Sequence, residues 1–112
     1  MILPDAVSAI ESHAFYGCSS LTELNLPKNL QRIGAGAFSG CTGLRKVNLP
    51  SGIISIGYLA FYDCRNLAFI QIPGSVKEIG QGAFIGCRDL TVQAEPDSYA
   101  VDYCMANQLS YE

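Results

Sequence analysis

The residues able to do chemistry in this chain are five cysteines, one histidine, a few closely spaced glycines and scattered carboxylates. Their spacing decides what each can do. Cys18, Cys41, Cys64 and Cys87 follow one another at intervals of 23 residues. None has a second cysteine or a histidine nearby at the spacing a zinc site requires. If successive stretches stack, the four thiols form a file about 4.7–4.9 Å apart with parallel side chains. A disulfide needs Cβ atoms roughly 3.5–4.5 Å apart on converging vectors. The expectation is a buried, reduced ladder in which cysteine acts as a small apolar group, with a redox or metal role as the alternative.

His13 is the only histidine, and its counterparts one interval apart are Gly36, Leu59 and Gly82. It reads as a solvent-facing turn residue, since a Ser-His-Asp arrangement needs a nucleophile and an orienting acid beside it. Gly34-Ala35-Gly36 and Gly80-Gln81-Gly82 look like pieces of a phosphate-binding loop. The third glycine comes one place late and no crossover helix follows, so these read as turn glycines. The carboxylates fall on different stretches and form no evident acid–base pair. No catalytic residue, metal site or cofactor is expected, and the chain is not read as an enzyme.

The element that must position all these residues is a 23-residue repeat. Residues 26–48 recur with substitutions at 3–25, 49–71 and 72–94. The aligned columns in the second copy are Leu26, Pro27, Leu30, Ile33, Ala37, Phe38, Cys41, Leu44 and Val47. Pro27, Ala37, Phe38, Cys41 and Leu44 have identical counterparts in the other three copies. A fixed period in this range signals one stacked array, because a single copy cannot bury its own apolar face.

Within a copy, Lys46-Val47-Asn48-Leu49 alternates and predicts a short strand with Val47 and Leu49 inward. Pro50 ends it, having no N–H to give to a ladder. A second extended piece around 30–34 directs Leu30 and Ile33 to the core. Phe38 and Cys41 then lie on a compact turn. The residue before each cysteine is Gly17, Gly40, Asp63 or Gly86, a composition that predicts left-handed backbone there.

With 49% hydrophobic and 15% charged residues, the composition favours a dry core over disorder. A net charge of -3 gives no basic footprint, so no nucleic-acid partner is expected. No apolar run is long enough for a transmembrane helix, and no basic-then-apolar leader opens the chain.

The recurring order Ile-Gly, two variable residues, Ala-Phe, two more, Cys, two more, Leu, then Leu or Val and Leu-Pro resembles the BspA-type leucine-rich repeat. The resemblance implies a leucine-rich repeat solenoid, an α/β-type right-handed superhelix of mostly short parallel strands and turns. It further implies noncatalytic attachment to proteins of a host or neighbouring cell, in bacterial surface or secreted proteins. Glu11-Ser12-His13 departs from the pattern, and the first turn is expected to differ slightly.

The chain opens inside a strand with no preceding cap. The favoured reading is that earlier repeats belong to a longer protein; the alternative is self-association through this N-terminal edge. In the fourth copy Thr91-Val92-Gln93 shifts the inward apolar residue by one place. Residues 95–112 read as a C-terminal helical cap, similar to the Ser-Tyr-Ala helix that closes many family members. Asp97 or Ser98 caps its start, Tyr99 to Ala106 are helical, and Ala100, Tyr103 and Cys104 share one face. Asn107 suits a left-handed stop.

The candidate protein-binding face is the outer side of the main strands: Glu23, Lys46 and Phe69 in one column, Asn25, Asn48 and Gln71 in the next. The amides of the second column form a possible ladder, and Phe69 is the expected aromatic anchor. A second outward stripe, Tyr16, Tyr62 and Ile85, follows the phenylalanines and is interrupted by Ser39.

Overall fold

Each copy is laid down as one coil, and the corners are set by residues with special backbone needs. Pro4, Pro27, Pro50 and Pro73 each open a coil, their carbonyls accepting the N–H of Val7, Leu30, Ile53 and Val76 at 3.1–3.2 Å. Extended backbone then carries a buried isoleucine inward, and a glycine-rich turn reverses the chain. The computed structural model describes residues 3–24 and 26–112.

Among these residues the elements run β1 (Ala9–Ile10), β2 (Glu23–Leu24), β3 (Arg32–Ile33), β4 (Lys46–Asn48), β5 (Ser55–Ile56), β6 (Phe69–Ile72), β7 (Glu78–Ile79), β8 (Thr91–Ala94), α1 (Tyr99–Ala106) and β9 (Ser110–Tyr111). Odd strands form one parallel sheet, ordered β1-β3-β5-β7, and even strands form another, β2-β4-β6-β8, to which β9 adds. The molecule is thus a parallel-strand solenoid of about four turns with one short helix. Ile10, Ile33, Ile56 and Ile79 pair in direct register along the first sheet.

The core lies between the two sheets as continuous files. Phe15, Phe38, Phe61 and Phe84 stack with ring centroids 5.3, 5.4 and 5.6 Å apart and nearly parallel planes. Cys41, Cys64 and Cys87 are buried and Cys18 is half-buried; all are free thiols. Each buried thiol donates to the carbonyl oxygen of the phenylalanine one coil back: Cys41 to Phe15 at 3.2 Å, Cys64 to Phe38 at 3.1 Å, Cys87 to Phe61 at 3.2 Å. The cysteine is therefore more than a small apolar filler. Its S–H occupies a carbonyl that would otherwise hold only one local bond, to the backbone N–H of the cysteine three residues on.

The turns join the coils as firmly as the strands do. Gly36, Phe38 and Gly40 donate their N–H groups to Tyr58, Ala60 and Tyr62 of the next coil at 2.7–2.8 Å. The intervening N–H groups bond within the turn, Ala37 to Gly34 and Ser39 to Gly36. Two left-handed columns make this alternation possible. The expected one holds Gly17, Gly40, Asp63 and Gly86; the other holds His13, Gly36, Leu59 and Gly82, with φ between 55 and 70.

Close stacking also explains the Gly34, Gly57 and Gly80 column. A Cβ on Gly57 meets the Ala35 amide nitrogen at 2.7 Å, and one on Gly34 meets that of Ser12 at 2.7 Å. Glu11, the counterpart in the first coil, is exposed. The first turn does not otherwise differ as expected: His13 is left-handed at φ 59, and Ala14 and Tyr16 donate to the Glu11 and His13 carbonyls as their counterparts do in the next coil.

The last coil departs from the period. β6 pairs with β8 as Phe69 with Thr91, an interval of 22, while β4 pairs with β6 as Lys46 with Phe69. Helix α1 begins at Ser98, whose side chain accepts from Val101 N at 3.4 Å. Ala100 and Cys104 are buried, with Tyr103 packed against the core. Asn107 is not left-handed, at φ -110; its side chain instead donates to the Tyr103 carbonyl at 2.9 Å, and Gln108 takes the left-handed position. The helix then covers the edge of β7 by two phenols: Ile79 N–H donates to Tyr99 Oη at 3.3 Å, and Tyr103 Oη donates to the Gly80 carbonyl at 2.9 Å.

Candidate functional site

Two outward surfaces emerge, one on the even-strand sheet and one on the turns. On the strands, Glu23, Lys46 and Phe69 are register partners, as are Asn48 and Gln71. Asn25 lies outside the described residues. Phe69 is half-buried, not the free aromatic that its outward position suggests. The Lys46 ammonium sits 5.7 Å from the Phe69 ring centroid, a cation–π contact that occupies the ring's face. Sequence alternation gives the direction of a side chain and says nothing of a neighbour leaning over it.

The turn surface is the more open. Tyr16 is 63% exposed, Tyr58 56%, Tyr62 41% and Ile85 59%. Between the first and third turns lies a groove of about 240 Å³. One wall is His13 and Tyr16; the other is Tyr58, Leu59 and Tyr62. The floor is the second turn, where Ala35, Gly36 and Ser39 occupy the same three columns with small side chains or none. The His13 ring leans over Gly36, where any Cβ would come within 2.8 Å of it, and lies 5.7 Å from the Tyr16 ring. The stripe was visible in the sequence. The groove depends on three small residues of one turn coinciding, and reading Ala35 and Gly36 together with Ser39 was the available signal.

The buried thiols offer little reactivity. Burial pushes the Cys41 thiol up to about 11. The neighbouring Cys87 thiol, together with burial, raises Cys64, the same pairing lowers Cys87, and burial raises Cys104. Cys41, Cys64 and Cys104 stay protonated near neutral pH, the unreactive form, and Cys87 is shielded by its burial. Among the described residues no cluster of three or more His, Cys, Asp or Glu side chains could hold a metal ion. Among the same residues no helix is long and apolar enough to cross a membrane.

The coil period, the phenylalanine file and the thiol ladder match a known pattern. The sequence fits the BspA type leucine rich repeat region (6 copies) across residues 1–107. The chain belongs to the BspA-type leucine-rich repeat family.

Solved structures agree with this family assignment. A leucine-rich repeat protein from Bacteroides ovatus is 34% identical with a TM-score of 0.82, covering 94% of this chain and 28% of its own. The leucine-rich repeat protein of T. pallidum is 33% identical with a TM-score of 0.57, covering 83% of this chain and 57% of its own. A leucine rich cell surface protein from Faecalibacterium prausnitzii is 29% identical with a TM-score of 0.63, covering 98% and 34%. This chain therefore spans less than two thirds of each. No curated protein matches.

Proposed function

We propose that this chain is a noncatalytic protein-interaction module that serves adhesion, as one solenoid unit of repeats 3–25, 26–48, 49–71 and 72–94 with its cap at 95–112. The observation that carries this reading is the concentration of exposed large side chains, Tyr16, Tyr58, Tyr62 and Ile85, on one face of a rigid array. Aromatic groups dominate interface energetics, and a scaffold that holds them in register spends little entropy on ordering them. A setting at the bacterial surface or outside the cell, facing a protein of a host or neighbouring cell, is supported by the family and by the name of the F. prausnitzii relative. Surface plasmon resonance against a panel of immobilised extracellular-matrix and cell-surface proteins tests it. Tyr16→Ala and Tyr62→Ala should weaken the binding found, by about tenfold or more at a central contact. Lys46→Ala and Phe69→Ala read out the strand face, with Glu23, Asn25, Asn48 and Gln71, as a second contact surface. Loss there with none at the tyrosines moves the site to the strands.

Self-association is the second reading, favoured by the outer sides of β1 and β2, which pair with no strand among the described residues. Glu11 opposes it: a coil stacked there as the others are would meet its Cβ, where Gly34 and Gly57 leave room. Glu11→Gly should raise the associated fraction seen by light scattering if this edge is used; an unchanged monomer removes it.

A further inference from the structure

The turn groove has the dimensions of one missing group in a regular column. Tyr16, Ser39, Tyr62 and Ile85 occupy equivalent places, fixed by the bonds from Gly17 N to Ser39 O and from Gly40 N to Tyr62 O. Ser39 is 6% exposed and forms the floor, while tyrosines rise from the coils on both sides. The adjoining phenylalanine file shows the spacing of rings on these coils, 5.3–5.6 Å. A flat group set at the vacant place meets a tyrosine on each side at about the 6 Å within which a cation is attracted to a ring face.

Charge selects among flat groups. Residues 11–18, 34–41, 57–64 and 80–87 contain no lysine or arginine, although the chain has seven. The charged residues of these turns are Glu11 and Asp63, and Asp63 is 3.4 Å from Arg65. The strands, by contrast, carry Arg32 and Lys46. The turn surface is thus aromatic and carries no lysine or arginine in its own sequence, and the groove itself is lined by neither.

We propose that this groove seats the guanidinium side chain of an arginine on a partner polypeptide, between Tyr16 and Tyr62 and above Ser39. Guanidinium is planar, always charged and weakly hydrated, so it enters a narrow aromatic slot at less desolvation cost than an ammonium. Its N–H donors face the Ser39 hydroxyl and the phenols, which can accept. The assignment rests on the turn-face reading above, and it names the feature a partner must present.

The test titrates the whole chain with acetyl-Gly-Arg-Gly-amide and with its citrulline, lysine and tyrosine counterparts, following the ring-proton shifts of Tyr16 and Tyr62. Methyl glucoside is the sugar arm. Saturation in the millimolar range is expected for the arginine peptide, about fivefold tighter than for citrulline, the factor of a partly exposed cation–π contact. Ser39→Tyr, which restores the side chain found at this place in the neighbouring coils, should retain the melting transition and lose at least about tenfold in affinity for the arginine peptide. Equal binding of citrulline, tighter binding of lysine, tyrosine or the glucoside, unchanged binding to Ser39→Tyr, or no saturation with arginine overturns the assignment. If Tyr62→Ala weakens binding to the protein panel while no arginine preference exists, the turn face stands and the arginine assignment falls.

Discussion

Phe38 and Ser39 are neighbours in sequence and belong to opposite worlds. Phe38 points into a file where each coil must present the same ring, because its stacking partners above and below are copies of itself. Ser39 points out of the same turn into a column that reads Tyr, Ser, Tyr, Ile. The inward position is constrained by repetition. The outward one is free to differ, and differences there are what shape a groove.

The hardest blow to the inward side is Phe61→Ala, which removes a ring contacted on both faces. It should cost about 3–5 kcal/mol and lower the thermal midpoint sharply in calorimetry. Gly57→Ala comes next, at about 1–3 kcal/mol, because the new methyl meets backbone of the preceding coil. Gly52→Ala is its control, since a Cβ there meets nothing within 4 Å.

A milder break comes from alkali. Cys41 ionises near 11 in the fold against 9.0 ordinarily, so its contribution to stability is whole below 9.0 and is lost as pH climbs through about 11. Denaturant midpoints measured across that window should fall, and fall less in Cys41→Ala. Thiol labelling should reach half-buried Cys18 before Cys41, Cys64, Cys87 and Cys104. The smallest effect belongs to the outside: Tyr62→Ala should change stability by no more than about 0.5 kcal/mol, whatever it does to binding. A loss comparable to Phe61→Ala would erase the distinction between the two sides.

This contrast also sorts what was legible in the sequence. Identity across copies exposed the phenylalanine and cysteine files, alternation the strand carrying Val47, and a column of glycines with one aspartate the left-handed residue before each cysteine. Leu59 concealed the second left-handed column, since a branched residue rarely marks such backbone. β9 escaped notice because Ser110–Tyr111 is two exposed residues with no alternation, held by pairing to β8. The helix start and span could be read from Ser98 and its apolar spacing; its stop could not, because the left-handed position falls on Gln108, while Asn107 gives both its backbone N–H and its side-chain amide to the Tyr103 carbonyl. The half-burial of Phe69 depends on where Lys46 reaches, a fact of neighbouring coils that no single repeat contains.

The phenylalanine file has an optical consequence. The chain has no tryptophan, so its near-ultraviolet circular dichroism comes from phenylalanines and tyrosines alone. Four benzyl chromophores stacked with nearly parallel planes, with Tyr103 set edge-on at 73° to the last, form a fixed chiral array. Its benzyl bands report whether the coils remain in register, and they vanish in a state that keeps its strands and loses its packing.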